Sequence, residues 1–256
     1  MDGEEGNKDI RSKMIDNHVH VGWYTNGYHS PQEVWQAERS AGVDEIAVSS
    51  TSTCAELYKL AIWEMRELKR LGGNRVHPIL WVTPRMMKTY GIRNMLHSKV
   101  AWEGLKMHWE AHKEWFYNPK LVEEVLQIAG KKRLPVLLHT GDFKECHATV
   151  FDKLCKNHPD IKFVLAHGRP IDETISVMQS APNTYADTAF MPVEDLKRLV
   201  DVGLADRIFF GTDAPINTLY FHKTTSSYIV DSLDQVRRTI GKSFFKQITC
   251  NTIYRI

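Results

Sequence analysis

Two closely spaced histidines give the first indication of metal chemistry in this sequence. His18 and His20 stand in the run Asp16-Asn-His-Val-His. Residues i and i+2 of a β-strand point to the same face, so both imidazoles can approach one ion. Neutral imidazoles are typical ligands of zinc and similar divalent metals.

Further groups able to bind a metal stand at the ends of later apolar runs. They are Lys106 and His108 in Gly-Leu-Lys-Met-His, His139 in Leu-Leu-His, His167 in Leu-Ala-His, and Asp213 in Gly-Thr-Asp. Burying such polar groups is costly unless they share a partner. Asp213 would supply a hard anionic ligand, and His139 would complete a set of three nitrogens with the H-x-H pair. That set leaves an open position for water, as catalytic metal sites require.

Apolar runs of strand length alternate with amphipathic stretches of helix length along the whole chain. The runs cover residues 14–21, 45–49, 76–82, 104–108, 135–139, 162–166, 184–186 and 207–210. Helical patterns cover residues 31–41, 53–71, 119–131, 148–157, 192–202, 228–240 and 243–255. Eight strand–helix units predict an α/β fold, the closed (β/α)8 (TIM) barrel, with an open doubly wound sheet as the alternative. In such a barrel the carboxyl ends of the strands ring one mouth, where the active site lies.

Length and composition bound the class of protein. A chain of 256 residues with 43% apolar residues suits one barrel domain, predicted over residues 14–256 after a loosely ordered lead-in at 1–13. A net charge of +2 gives no indication of nucleic acid as a partner. No apolar run approaches the ~20 residues of a membrane span, so no membrane partner is expected. Four cysteines without a C-x-x-C pair predict reduced thiols and a cytoplasmic protein.

In their order and strand positions, these motifs resemble those of the amidohydrolase superfamily, specifically its amidohydrolase-related branch of metal-dependent hydrolases. The resemblance runs from Met14 to the C-terminus. The motifs are Asp16-x-His18-x-His20, Lys106-x-His108, His139-x-Gly141, His167-Gly168, Gly211-Thr-Asp213 and Asn251-Thr-Ile-Tyr-Arg255. The last is similar to a terminal helix that begins with Asn in the family.

The resemblance implies a role for each residue. His18 and His20 would bind the more buried metal, and Asp213 would bind that metal or act as base on its water. His139 would be the third nitrogen ligand in one-metal members. His167 would orient the substrate or stabilise the developing oxyanion, and in two-metal members it would join His139 on a second ion.

Lys106 decides the expected number of ions. In two-metal members of the family a lysine at this place is carboxylated and bridges both ions, whereas in one-metal relatives it is unmodified and faces the substrate. One ion is favoured here, most simply zinc, with manganese as an alternative. His108 is then expected to face the substrate.

The residues around the mouth suggest a small anionic substrate. Trp23 follows the first strand, and Arg169, directly after His167-Gly168, is the first choice for an anion contact. The aromatic-rich stretch 102–117 is compatible with core, lid or subunit interface, and so with a homo-oligomer. The leading function is hydrolysis of a C–N, C–O or lactone bond. A non-oxidative decarboxylase is the second hypothesis, and a barrel that binds a metal or ligand without catalysis is the third, against which the intact Asp213 argues.

Overall fold

The computed structural model describes residues 13–254, so the predicted lead-in lies outside the described residues except for Lys13. The strands are β1 (Ile15–Tyr24), β2 (Gly27–His29), β3 (Glu45–Ser50), β4 (Val76–Trp81), β5 (Gly104–Met107), β6 (Val136–His139), β7 (Phe163–Ala166), β8 (Thr184–Asp187) and β9 (Ile208–Phe209). The helices are α1 (Pro31–Ser40), α2 (Tyr58–Gly72), α3 (Pro84–Tyr90), α4 (Ile92–Leu96), α5 (Glu114–Tyr117), α6 (Pro119–Lys132), α7 (Asp152–Asn157), α8 (Ile171–Ser180), α9 (Val193–Asp201) and α10 (Thr225–Cys250).

The strands close into a barrel. From β1 through β3 to β9 each strand pairs in parallel with the next, and β2 adds an antiparallel hairpin to the end of β1. The segment after β9 completes the ring against β1. Asn17 N donates to Phe210 O at 2.8 Å, Asp213 N to His18 O at 2.7 Å, and His20 N to Ala214 O at 2.7 Å. The predicted (β/α)8 barrel is confirmed, and the open-sheet alternative is wrong.

Several helix boundaries differ from the sequence prediction. The predicted start of α1 is confirmed, because Ser30 caps it in a reciprocal capping box with Glu33. In contrast, α2 begins at Tyr58 and not at residue 53, since the hydroxyl of Ser50 caps a short 3-10 turn at Thr51–Thr53. The pattern 148–157 is a 3-10 turn followed by α7, and the sequence prediction missed α8 altogether.

The last described residues leave the helix and enter the barrel at the end where its strands begin. Asn251 is extended, with φ −102° and ψ 149°, so the helix predicted over 243–255 ends at Cys250. Tyr254 is fully buried with Ala47 and Ile79 inside the barrel. Its ring packs on Gly104, where a Cβ would come within 2.9 Å of it. The barrel interior at the amino ends of the strands is therefore closed by side chains from the chain's own final segment.

The described helices and cysteines bear on two further expectations. Within residues 13–254, no helix combines the length and apolar character needed to cross a membrane. All four cysteines are unpaired, as the sequence predicted.

Candidate metal centre and active-site cavity

Two histidines on β1 point into the upper end of the barrel, the end formed by the carboxyl ends of the strands. Their Nε2 atoms lie 3.2 Å apart. His18 Nδ1 lies 2.9 Å from Asp187 Oδ2, and His20 Nδ1 lies 3.2 Å from the carbonyl oxygen of Ser49. The Asp187 carboxylate only accepts, so His18 Nδ1 carries the proton and its Nε2 keeps a lone pair. The Ser49 carbonyl assigns the same tautomer to His20, with the Ser49 hydroxyl, 3.0 Å from the same nitrogen, as a second acceptor.

Asp213 faces the same point from the segment that closes the barrel. Its Oδ1 lies 2.9 Å from His20 Nε2 and 3.3 Å from His18 Nε2, yet it has no hydrogen-bond partner among the described residues. Asp213 adopts a left-handed φ of +59°, a conformation that costs energy for a residue other than glycine. The buried carboxylate of Asp16 holds this turn, since it accepts from Thr212 N at 3.1 Å and Thr212 Oγ1 at 2.5 Å.

His167 approaches the same group from the turn after β7. Its Nδ1 donates to the carbonyl oxygen of Ala189 at 3.0 Å, so its Nε2 is again the free nitrogen. Ligand atoms of His18, His167 and Asp213 all lie within 4.8 Å of one another. We refer to His18, His20, His167 and Asp213 as the ligand cluster. His167 also has a left-handed φ of +70°, so two members of this cluster have a strained backbone.

The ligand cluster fits a divalent ion by its geometry. Two nitrogens bound to one tetrahedral zinc at ~2.05 Å lie about 3.3 Å apart, close to the separation of His18 Nε2 and His20 Nε2. The unpartnered, buried Oδ1 of Asp213 requires a partner that no described side chain supplies. Imidazole nitrogens with one carboxylate are a common donor set for zinc.

The ionisation states of the ligand cluster suit the same ion. Burial lowers the pKa of His20 to about 4, and the Lys106 charge adds to the effect. Burial also lowers the pKa of His167 to about 3. Burial alone would raise the pKa of Asp213, but His18 and His20 outweigh it and hold that pKa well below its ordinary value. Neutral imidazole and ionised carboxylate are the forms that bind metals.

Lys106 lies directly beside the ligand cluster. Its Nζ is 2.9 Å from His18 Nε2 and 3.0 Å from His20 Nε2, so the amine donates to both lone pairs. The same nitrogen lies 4.5 Å from the ring centroid of Trp81. Burial lowers the pKa of this amine. An amine in this position can donate to an oxygen of a bound substrate.

His139, expected as the third nitrogen ligand, has a different environment. Its Nε2 lies 3.2 Å from Glu110 Oε2, and its ring stacks on that of His108 with centroids 3.6 Å apart. The ring of His108 in turn stacks on that of Trp81, with the centroids 5.4 Å apart and an angle of 8° between the ring planes. The structure thus brings His167, not His139, into the close set with His18 and Asp213. The role of His139 as a ligand stays a prediction.

A cavity of about 870 Å³ opens from the ligand cluster to the surface. Arg169 lines it, with its Nη2 donating to Phe190 O at 2.9 Å. Trp23, expected to contact substrate, is not among the lining residues and is half exposed, whereas Tyr24 lines the cavity. The reason is strand alternation, because Tyr24 shares the inward face of His20 and Trp23 takes the opposite one.

Some residues of this site escaped the sequence prediction. Asp187 was missed because the predicted seventh strand ended one residue too early, at 186. Glu110 lies in the turn after β5, where strand alternation no longer applies, so no spacing in the sequence indicated it. Ser49, whose carbonyl and hydroxyl oxygens both contact His20 Nδ1, was missed because a serine within an apolar strand gives no such indication.

Comparison with known proteins places the chain among related sequences and folds. A family model described as Amidohydrolase matches residues 85–241, more than half of the chain. No curated protein matches the chain.

Several solved structures share the fold at low sequence identity. A probable 2-pyrone-4,6-dicarboxylic acid hydrolase from Acinetobacter baumannii has 12% identity and a TM-score of 0.65, with 93% of this chain and 96% of that chain covered. An amidohydrolase from Burkholderia multivorans with bound zinc has 10% identity, a TM-score of 0.66 and the same coverage. A 5-carboxyvanillate decarboxylase from Sphingomonas paucimobilis has 12% identity and a TM-score of 0.63, again with 93% and 96% covered.

Proposed function

The chain belongs to the amidohydrolase family, and we propose that it is a metal-dependent hydrolase that cleaves a C–N, C–O or lactone bond of a small anionic substrate. One observation carries the proposal. The Nε2 lone pairs of His18 and His20, which face Lys106 Nζ, converge with Asp213 Oδ1 at the wall of a large cavity. A buried polar atom without a partner is costly, so a site that holds one is expected to bind something there.

Zinc is the proposed ion, with manganese as the alternative. The imidazole-rich donor set favours zinc, and the zinc bound in the Burkholderia amidohydrolase supports the choice. One ion is proposed, because residues 13–254 contain a single group of three His, Cys, Asp or Glu ligands close enough to share one. A second ion would require a carboxylated Lys106. When bound, such an ion supplies Lewis acidity and lowers the pKa of a coordinated water toward neutrality.

The proton-transfer role goes to Asp213. It would take the proton of the attacking water and pass it to the leaving group, acting first as general base and then as general acid. Lys106 would polarise the scissile carbonyl with its amine. His167 suits this last role less well, because its proton is committed to Ala189 O and its Nε2 can only accept or ligate.

Substrate contacts come from the cavity wall. The Nδ1 of His108 accepts the backbone N–H of Ala111 at 3.2 Å, so its Nε2 carries the proton and can donate to the substrate. Arg169 is the proposed contact for a carboxylate or phosphate. A small-molecule substrate, a cytoplasmic location and a homo-oligomeric state are proposed on the sequence pattern alone.

The test uses Asp213→Asn with every protein sample saturated with zinc. Lactones, small amides and aromatic carboxylates form the substrate panel, and Asp172→Asn, exposed on α8, is the control. General acid–base catalysis contributes at least about 100-fold, so turnover should fall by that factor or more in Asp213→Asn only. Near-normal turnover at full zinc occupancy would overturn the role of Asp213.

A metal-dependent non-oxidative decarboxylase of a small carboxylic acid is the second candidate. It is favoured by the likeness to the Sphingomonas decarboxylase. The two candidates differ in the fate of solvent water. Hydrolysis places ¹⁸O from labelled water in the product, whereas decarboxylation releases carbon dioxide and places none.

A further inference from the structure

Asp187 is the last residue of β8, and each of its two carboxylate oxygens contacts a member of the ligand cluster. It is fully buried. Its Oδ2 lies 2.9 Å from His18 Nδ1. Its Oδ1 accepts the backbone N–H groups of His167 at 3.1 Å and Ala189 at 3.0 Å. One side chain therefore contacts two histidines that are far apart in the sequence, His18 and His167.

The contact to His18 fixes which ring nitrogen is free. A carboxylate accepts only, so the proton of His18 stays on Nδ1 and the lone pair of Nε2 faces Asp213 and His20. Outer partners of this kind set the tautomer and orientation of metal-binding histidines. Gly211 makes room for the arrangement, since a Cβ there would come within 2.9 Å of His18 Cβ and 3.3 Å of Asp187 Cβ.

The second oxygen organises the substrate side. It holds the amide of His167, whose backbone is left-handed, and the amide of Ala189. The loop directly after β8 also supplies two carbonyl groups that accept hydrogen bonds from the same turn. Ala189 O accepts from His167 Nδ1 at 3.0 Å, and Phe190 O accepts from Arg169 Nη2 at 2.9 Å.

We propose that Asp187 is a positioning residue that couples the two halves of the site. One oxygen directs the lone pair of His18 toward the ion, and the other fixes the turn that carries His167 and Arg169. The first half rests on the proposed metal-dependent function, and the second half rests on the fold alone.

Asp187→Asn tests the coupling because an amide cannot replace both oxygens. If its oxygen accepts from His18, its NH₂ group meets the two backbone N–H donors, and the reverse orientation blocks His18 Nδ1–H. Zinc affinity of the metal-free full chain, measured by chelator competition, should fall about 10–100-fold. Hydrogen exchange at the amides of His167 and Ala189 should become faster.

Glu64→Gln is the matched control. Glu64 is also a fully buried carboxylate, but it accepts from the hydroxyl groups of Ser50 and Ser52. Its replacement should change stability while leaving zinc affinity within about twofold of the wild type, since no outer partner of a ligand is lost. Asp187→Ser, measured in the same way, covers the case in which Asp187→Asn does not fold.

The outcomes separate this proposal from the proposed function. Unchanged zinc affinity in Asp187→Asn, or an equal loss in Glu64→Gln, would overturn the positioning role. Wild-type protein that binds neither zinc nor manganese would overturn the proposed function and the metal half of the positioning role. Unchanged hydrogen exchange at His167 and Ala189 in Asp187→Asn would overturn the other half. Zinc binding without turnover of any substrate would overturn the hydrolase alone and leave the role of Asp187 to be judged by zinc affinity.

Discussion

Both ends of the barrel bury a histidine among carboxylates, but the two ends use their hydrogen-bonding groups differently. At the lower end, where the strands begin, His77 Nδ1 lies 2.7 Å from Glu103 Oε2 and His77 Nε2 lies 3.1 Å from Glu45 Oε2. At the upper end each histidine of the ligand cluster has a partner at Nδ1 fixed by the fold, and the Nε2 atoms of His18 and His20 face Asp213.

The difference shows that closeness of histidine and carboxylate is not itself an indication of function. Every ring nitrogen of His77 is used within the fold, and the lower end is filled by Tyr254 and its neighbours. At the upper end Asp213 Oδ1 has no hydrogen-bond donor, the backbone is strained at His167 and Asp213, and a cavity opens beside them. All hydrogen-bonding groups of His77 are used within the fold, whereas the ligand cluster has the geometry expected of a binding site.

The largest expected effect is a loss of stability at the lower end. His77→Ala removes the partner that Glu45 and Glu103 share, although Lys13 still pairs with Glu45 and Lys69 with Glu103. Breaking a buried pair costs about 3 kcal/mol. Urea denaturation should show this fall, while zinc affinity of the folded protein should hold. His158→Ala, which removes a surface histidine–glutamate pair, should cost no more than ~1 kcal/mol. Equal losses in both variants would remove the distinction between a buried and a surface pair.

The reverse pattern is expected at the upper end. Asp213→Asn removes the charge of the proposed ligand but keeps the size of the side chain and a residue type that tolerates the left-handed φ of +59°, so the free energy of unfolding of the metal-free protein should change by no more than about 1 kcal/mol. Zinc affinity should fall by about 100-fold or more, because even an outer partner is worth 10–100-fold. Chelator competition and urea denaturation measure the two quantities. A destabilised variant with intact zinc binding would contradict the proposed contrast between the ends.

A pH dependence should distinguish the lower end further. Burial alone would raise the pKa of Glu103, but its hydrogen bond with His77 outweighs this and leaves the pKa below its ordinary 4.5. Because the pKa of Glu103 is lower in the folded than in the unfolded protein, its ionised form stabilises the fold above pH 4.5. This contribution is lost as the pH falls through the pKa of the folded state. The free energy of unfolding of the wild type should therefore be about 1 kcal/mol higher than that of Glu103→Gln at pH 7. The gap should narrow below pH 4.5, and a constant gap across an acid titration would contradict the assignment.

The smallest expected effect concerns the rim of the upper end. Trp23→Ala should leave zinc affinity and turnover unchanged and alter the free energy of unfolding by less than ~1 kcal/mol, because half of this side chain is already exposed. Tyr24→Ala, on the inward face, is the comparison. A fall in turnover for Trp23→Ala alone would restore Trp23 as a substrate contact.

The sequence by itself determined the architecture and the face of each strand. Eight apolar runs with long connections predicted the barrel, and the spacings His18-x-His20 and Lys106-x-His108 placed these side chains at its upper end, because alternation is a local property of a strand. The same rule places Tyr24 on the inward face of β1, because it lies four residues after His20, whereas the substrate role of Trp23 stays a prediction.

Only the tertiary structure decided how the ring nitrogens are used. The free nitrogen of His18 depends on Asp187, and that of His167 depends on the carbonyl of Ala189. His139 is held by Glu110, which the sequence prediction did not consider. The same applies to Asn251, which leaves the helix as Asn17 Nδ2 donates to its carbonyl oxygen at 3.1 Å. Such partners are far apart in the chain, and hydrogen bonds between them exist only after the strands have closed into a ring.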